Sequence, residues 1–414
     1  MNRRHRAYET PALPTELPRR GKARNINKPH TWEQAQIRAQ FAKLVYTPAV
    51  ENGLNEDEAL LVGSVRRFTE HQISPASADA DRKGQLPEQL IKQALQLGYF
   101  SDVVNGDWGG DREGSYSHRV RALRGAEAAK GCPAMAAVLE STVEAALIVE
   151  TWGSAVQRKN ILPRLAAGST VAIFRDTGCR MDVEFGAKKK VRVRGGTTSV
   201  PVLGMADYLL VVKDQSDAPS VMLLDTSKID RTTQAPSGWR AATWGKALVN
   251  VNLDEEDFVL RSEVATQASK QILEWVRCSL AARAIGTASA AIKHAEKYAQ
   301  ERIQFDQPIA KFESIAALID DNKTSITAGW ALTLQAAERI DSGANDASDL
   351  ASRARLFTSE VVSKATIDAV QILGGYGFVN DYPVEKLMRD APTFGTVLGP
   401  ERFERIRKLV AGEN

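Results

Sequence analysis

The spacing of apolar residues changes twice along this chain of 414 residues. From about Thr31 to Ala167 they recur at the three- and four-residue intervals of helices. From Ser169 to about Val259, short β-branched runs alternate with Gly, Pro, Asp and Ser, which is typical of antiparallel strands. From Ala265 onward the helical spacing returns. The sequence therefore predicts an α+β fold with an N-terminal helical domain, a middle antiparallel β domain and a C-terminal four-helix bundle.

These changes divide the chain into four segments. We predict a basic arm, a helical domain, a β domain and a helical bundle at residues 1–45, 46–168, 169–262 and 263–414. The arm contains RRHR, PRR and GKAR interrupted by prolines, which favours a poorly ordered, solvated tail. A docking arm for a partner chain and a nucleic-acid-binding arm are the alternatives.

Within these segments the pattern predicts individual elements. Leu60 to Phe68 lie on a helix that Pro75 should end. Three long helices are expected at residues 265–302, 314–342 and 347–373, and their Ala and Gly residues permit close helix packing. Five strands are expected at residues 171–174, 191–194, 208–212, 221–224 and 249–253.

Composition excludes several classes of protein. The net charge of +3 gives no electrostatic case for nucleic-acid binding. No apolar run approaches the roughly 20 residues that span a bilayer, and the five histidines never pair at metal-ligand spacing. Cys132, Cys179 and Cys278 lie far apart, which favours reduced thiols and a cytoplasmic location.

Four segments resemble the acyl-CoA dehydrogenase family. Residues 64–110, ending in the DWGG turn, are similar to its first domain, and NILPRLAAGS is similar to the end of that domain. YAQERIQFDQPIAKFES resembles the family signature R-x-x-F-G-x-P-I-x-x-F-Q. QILGGYGFVNDYPVEKLMRDA resembles the second signature, Q-x-x-G-G-x-G-Y followed by D-Y-P-V-E-R-x-x-R-D-A. The resemblance extends from about residue 55 to the end of the chain.

The resemblance implies a fold, a cofactor and a reaction. Members are usually tetramers with FAD at subunit contacts, and they remove the α and β hydrogens of an acyl thioester. A Glu takes the α proton, and the flavin takes the β hydride. An α proton beside a thioester carbonyl is weakly acidic, so the site must place a carboxylate against it.

The resemblance also implies cofactor contacts. Five residues match the positions that bind FAD, usually that of a neighbouring subunit: Arg302, Phe305, Gln371, Gly374 and Gly375. A guanidinium suits a diphosphate because its donors form paired hydrogen bonds to phosphate oxygens. Asp306 and Glu313 depart from the family Gly and Gln, and a carboxylate near a diphosphate is unfavourable.

The positions of the family's catalytic base hold no carboxylate. Leu398 stands where most members have the Glu, and Val276 stands at the alternate position on the long bundle helix. Arg277 matches the Arg that follows this alternate base, and we predict it as a substrate-binding residue. Glu401 is the one weak substitute, because it follows the lost Glu by three residues.

The flavin-ring segments also depart from the family. The run from Arg175 to Asp182 replaces T-E-P-x-x-G-S-D, and Ser199 to Val202 replaces W-I-T-N. Pro201 has no backbone N–H to donate to the ring.

We therefore predict a catalytically silent subunit, or one that depends on a catalytic paralogue in a homo- or hetero-oligomer, with FAD shared with a neighbour or absent. A non-enzymatic scaffold that reuses the fold and a flavoenzyme with relocated chemistry are the alternatives.

Overall fold

The computed structural model describes residues 51, 53–113, 117–178, 180–186, 190–214, 218–254, 256–399, 401–402, 405–406 and 410. Residues 54–414 form one compact unit. The predicted basic arm lies outside the described residues, and so does Cys179. Where the structure describes the chain, every helix is too short or too polar to traverse a bilayer.

The first part of the chain is helical, as the apolar spacing predicts. The helix that follows Asn55 begins with a capping box, because the Asn55 side chain accepts from the Glu58 N–H at 2.9 Å and the Glu58 carboxylate accepts from the Asn55 N–H at 2.9 Å. The helices are α1 (Glu56–Phe68), α2 (Ser74–Lys83), α3 (Glu88–Gln96), α4 (His118–Gly131), α5 (Pro133–Trp152) and α6 (Ala155–Ala166).

The expectation that Pro75 ends the first helix is wrong. The backbone remains helical through a π-helical turn at Thr69–Ile73 and continues as α2. Pro75 lies in the first turn of α2, where its missing N–H and fixed φ are tolerated. The π-helical turn before α2 changes the hydrogen-bond register without interrupting the helical backbone.

The middle of the chain forms two four-stranded sheets. The five predicted strands are present, and three further strands are added. The strands are β1 (Val171–Arg175), β2 (Met181–Phe185), β3 (Val191–Gly196), β4 (Tyr208–Lys213), β5 (Ser220–Asp225), β6 (Asp230–Thr233), β7 (Gly245–Leu253) and β8 (Val259–Arg261). The sheet orders are β1-β4-β5-β8 and β2-β3-β7-β6. Pairing is antiparallel except between β1 and β4, where Val171 lies opposite Tyr208 in a parallel ladder.

The last part of the described chain is a four-helix assembly, so the predicted fold class is confirmed. A short hairpin of β9 (Ile303–Gln304) and β10 (Gln307–Pro308) separates its first two helices. The helices are α7 (Ser262–Glu301), α8 (Glu313–Asp341), α9 (Ala347–Leu373) and α10 (Val384–Thr396). The small residues of α7 are buried against α4, α8 and α9.

Gly286 in α7 lies directly against the backbone of α4. A Cβ at this position would meet the Ala126 carbonyl oxygen at 2.3 Å, so the two helices would have to separate. We expect Gly286→Ala to lower the free energy of unfolding by about 1–3 kcal/mol, which is typical of overpacking. Denaturant unfolding measures this change. Gly63→Ala in α1 is the matched control, because a Cβ there meets only a flexible Arg67 side chain at 3.7 Å. Equal stability of the two variants would show that α4 and α7 do not pack this closely.

Candidate active site

Two adjoining cavities lie where the β domain meets the helical bundle. The larger has a volume of about 350 Å³ and is bounded by the end of β1, the segment Ser199–Pro201 and the loop that follows α10. The smaller has a volume of about 30 Å³ and extends between α5 and α7. They share four lining residues: Ile173, Pro201, Val397 and Leu398. The shared residues lie between the larger and the smaller cavity.

The two positions at which the resemblance predicts a base meet at the smaller cavity. Leu398 lines both cavities, and Val276 on α7 lines the smaller one. Leu398 has φ of +65°, an unusual backbone conformation for a leucine. The sequence alignment therefore identified two positions that share one cavity, and neither side chain can accept a proton.

The loop that carries Leu398 is held by two arginines. Arg355 on α9 donates to the carbonyl oxygens of Val397 and Gly399. Arg175 at the end of β1 donates to the Leu398 carbonyl oxygen at 3.4 Å, and two hydrogen bonds of 3.0 and 2.6 Å fix its guanidinium on Asp214. These charged donors fix the backbone of the loop, so Leu398 is held in the wall.

Glu401 is buried in an ionic cluster. Its side chain is 3% exposed and accepts from Arg277 Nε at 2.9 Å, Arg355 Nη1 at 3.0 Å and Ser352 Oγ at 2.6 Å. Burial alone would raise the pKa of Glu401, but the two guanidiniums and the Ser352 hydroxyl outweigh burial and hold the pKa below its usual value. Glu401 lines neither cavity, so the substitute base and the predicted substrate-binding Arg277 lie together as an internal ion pair.

The wall that replaces the family's flavin-ring segment offers few backbone donors. The Val200 N–H donates to Gly245 at 2.8 Å and the Val202 N–H donates to Ala242 at 2.8 Å, while Pro201 has none. On the neighbouring turn, Asp176 accepts from the N–H groups of Arg180 and Met181 at 2.8 and 3.0 Å. These backbone N–H groups are therefore already used within the protein and are not available to a ligand.

The predicted FAD-contact residues lie at the exposed end of the bundle. The Arg302 guanidinium is 5.7 Å from the centroid of the Tyr376 ring, which places it beside the 3₁₀ turn Gly374–Phe378. Phe305 in the β9–β10 hairpin is 88% exposed. Gly374 has φ of +58°, and a Cβ on Gly374 or Gly375 would meet nothing within 4 Å. Gln371 is exposed one turn earlier. This surface has a cation and open backbone, which fits a diphosphate.

Sequence reasoning missed a second buried charge cluster beside the smaller cavity. Arg121 on α4 donates to Glu140 and Glu144 on α5 at 2.9 and 2.6 Å. Arg283 on α7 lies 3.8 Å from Glu144, and the Tyr99 hydroxyl donates to Glu140 at 2.6 Å. Glu144 and Arg283 both line the smaller cavity. Charged residues within Ala-rich helices are the only signal in the sequence.

The two carboxyls of this cluster differ in proton affinity. Burial raises the pKa of Glu144, and the nearby guanidiniums only partly oppose it. Burial also acts on Glu140, but Arg121, Arg283 and the Tyr99 hydroxyl outweigh it and lower the pKa. The smaller cavity has an apolar wall, which includes Val276 and Leu398, and one polar end at Glu144 and Arg283.

Among the described residues, no group of three His, Cys, Asp or Glu side chains is placed to hold a metal.

Comparison with known proteins identifies the class that has this fold. The profile of the family "Acyl-CoA dehydrogenase, N-terminal domain" matches residues 55–169, and that of "Acyl-CoA dehydrogenase, C-terminal domain" matches residues 265–408. An acyl-CoA dehydrogenase of Bacillus subtilis (strain 168) is 26% identical over 371 residues, which cover 85% of this chain and 97% of the relative.

Solved structures show the same fold. Butyryl-CoA dehydrogenase from Megasphaera elsdenii superposes with a TM-score of 0.80 at 23% identity, covering 87% of this chain and 99% of that one. A glutaryl-CoA dehydrogenase from Mycobacterium smegmatis in complex with FADH2 superposes with a TM-score of 0.77 at 18% identity, covering 89% and 97% of the two chains. Helices, two sheets and a bundle in this order are the fold shared with these solved structures. The chain belongs to the acyl-CoA dehydrogenase family.

Proposed function

We propose that this chain is an acyl-CoA dehydrogenase-family subunit that does not abstract the α proton of an acyl thioester by itself. It is silent as a single chain or acts with a catalytic paralogue. The observation that carries the proposal is the pair Leu398 and Val276 at one cavity, because the resemblance predicts a catalytic base at these two positions.

The rest of the site supports this proposal. An aliphatic side chain cannot take a proton from carbon, and a general base must lie within hydrogen-bonding reach of its substrate. Glu401 is the nearest acid in sequence, and its carboxylate is already engaged by Arg277, Arg355 and Ser352. Its lowered pKa makes it a weak base as well.

The cofactor that the family implies is FAD, which supplies a hydride acceptor when bound. We propose that the open surface of Arg302, Gly374 and Gly375 contacts the diphosphate of FAD bound mainly by a neighbouring subunit, with Phe305 and Gln371 at its edge. The assembly would be a homo- or hetero-tetramer. The internal use of the Val200 and Val202 amides supports weaker binding of a flavin ring by this chain's own cavity.

Substitution of Arg302 tests the diphosphate contact. We expect Arg302→Gln to weaken FAD retention by the purified assembly about tenfold and to reduce its salt dependence, because one charge-assisted contact is lost. Flavin absorbance after dialysis at two salt concentrations measures the change. Arg339→Gln is the control, since Arg339 is a partly exposed arginine of α8 that pairs with Asp346 at 2.6 Å. Equal retention by both variants would contradict the contact.

The partner-dependent form predicts a stoichiometry. When this chain is co-expressed with a paralogue that has Glu at the base position, we expect a stable mixed oligomer that contains fewer FAD molecules than chains. Native mass spectrometry gives the chain composition, and visible absorbance gives the flavin count. One FAD per chain in that mixed oligomer would contradict the partner-dependent form.

A non-enzymatic scaffold is the second candidate. The commitment of Asp176, Val200 and Val202 to hydrogen bonds within the protein favours it, because these residues line or adjoin the larger cavity. It predicts no flavin absorbance in any purified assembly.

A further inference from the structure

The smaller cavity has a polar group whose hydrogen-bonding capacity is not used. Trp239 lines this cavity and is 1% exposed, and its indole Nε1–H has no hydrogen-bond partner among the residues that the structure describes. A buried donor without a partner costs free energy of the order of 1–3 kcal/mol, and native proteins rarely retain one without a ligand or an ordered water. The indole N–H is therefore a buried donor that still needs an acceptor, in a residue that lines this cavity.

An acceptor of hydrogen bonds lines the same cavity. Both contacts of Glu144 with arginines, at 2.6 Å from Arg121 and 3.8 Å from Arg283, use Oε1, and the carboxyl also has a side-chain hydrogen bond with Ser279. The Ser141 hydroxyl, in contrast, is engaged by the Val171 carbonyl at 2.6 Å. At about 30 Å³, the cavity is small enough for one bound group to reach both Trp239 and Glu144.

The charges on the wall restrict the chemistry of that group. A carboxylate would face the Glu144 carboxylate, and an ammonium would face Arg283 and the indole N–H, which is itself a donor. A methyl group would leave the indole donor unsatisfied. A hydroxyl both accepts and donates, so it alone among these groups matches an N–H donor and a carboxylate together.

We propose that the smaller cavity is a specificity pocket for a short acyl group that ends in a hydroxyl. The hydroxyl oxygen accepts from Trp239 Nε1, and its proton is donated to Glu144. Because Leu398 and Pro201 line both cavities, the pocket adjoins the larger compartment. The inference rests on the proposed function, since it takes an acyl thioester as the ligand of the larger compartment.

Matched pairs of thioesters test the pocket. The probes are 4-hydroxybutanoyl-CoA against pentanoyl-CoA and 3-hydroxypropanoyl-CoA against butanoyl-CoA, in which a terminal methyl becomes a hydroxyl at constant size. Isothermal titration of the purified full-length protein measures the affinity of each. We expect the hydroxyl form of one pair to bind about three- to tenfold more tightly, as one net hydrogen bond predicts.

Two variants identify the source of the preference. Trp239→Phe removes the donor and should bring the ratio of affinities to about one. Trp152→Phe is the matched control and should keep the preference, because Trp152 lines neither cavity and its Nε1 donates to Gln271 at 3.2 Å. A preference that survives in Trp239→Phe overturns the proposal.

Phe394 packs against the buried Trp239 ring with 4.9 Å between the ring centroids, so Trp239→Phe also disturbs this contact. A second measurement therefore uses the protein without substitution. In protein labelled with ¹⁵N-tryptophan, the Trp239 indole N–H signal should move downfield with the hydroxyl thioester and stay in place with its alkyl partner. An unmoved signal means that the cavity holds a buried water only, and it overturns the proposal. Equal binding within both pairs overturns the pocket, and so does the absence of binding by any thioester. The proposed function fails separately, if the unaltered chain alone exchanges the α proton of butanoyl-CoA.

Discussion

Leu398→Glu is expected to give the isolated chain the ability to exchange the α proton of an acyl thioester. The substitution places a carboxylate in the wall shared by both cavities, on a loop that Arg175 and Arg355 hold in position. A positioned general base contributes about 10²–10⁴-fold to such a step. We therefore expect α-deuterium uptake from D₂O into butanoyl-CoA to rise at least about 100-fold over the unaltered protein, as measured by mass spectrometry.

Leu398→Gln is the matched control for this experiment. It has the size and polarity of the Glu variant but cannot take the proton, so its uptake should remain at the level of the unaltered chain. Equal uptake in the Gln and Glu variants would contradict the account, because the gain would then come from a changed cavity shape and not from a base.

Glu401→Gln should cause the largest loss of stability among the substitutions considered. The change removes the negative charge that Arg277 and Arg355 face at 2.9 and 3.0 Å in a buried setting. Breaking a buried pair by removing one partner typically costs about 3–5 kcal/mol, because the remaining charge is left uncompensated. Denaturant unfolding at neutral pH measures the loss. Glu88→Gln is the control, since Glu88 and Lys92 form an exposed pair of helix α3 and its loss should leave the unfolding midpoint unchanged.

The difference in stability between the unaltered protein and Glu401→Gln should depend on pH. The pKa of Glu401 is lower in the folded protein than in the unfolded chain, so its stabilisation is present above an unfolded pKa of about 4.3. It is lost as the pH falls through the lower, folded pKa. The difference in stability between the unaltered protein and Glu401→Gln should therefore shrink below about pH 4. A difference that is constant from pH 7 to pH 3 would show that the carboxylate charge is not the source.

Apolar spacing and local motifs were enough to predict the architecture. The β-branched alternation of β7 and the long Ala-rich run of α7 each specify one element without knowledge of neighbours. Of the strands that were missed, β6 lacks this signal because it is short, polar and exposed along its whole length, whereas β2 (MDVEF) has the alternation and was overlooked. Pro75 misled the prediction because a local rule for helix ends does not account for a π-helical turn that accommodates the ring.

The candidate site was also only partly predictable from the sequence. The prediction that Leu398 and Val276 stand at the base positions rests on the sequence alone, since each lies at a fixed spacing from a motif that resembles the family's. The ion pair of Arg277 with Glu401 joins residues 124 positions apart, and no local pattern indicates it. The polar end of the smaller cavity was also hidden, because α5 is buried on all sides and its periodicity cannot show which helix supplies a partner for Glu144.

The central claim is that this chain, by itself, lacks the proton-abstracting half of the family's reaction. The most direct test is a visible absorption spectrum of the purified chain, reconstituted with FAD and then mixed anaerobically with butanoyl-CoA and with 4-hydroxybutanoyl-CoA. We expect any flavin absorbance to remain unbleached with both thioesters. Bleaching of the flavin by either thioester, in the absence of any other chain, would contradict this expectation.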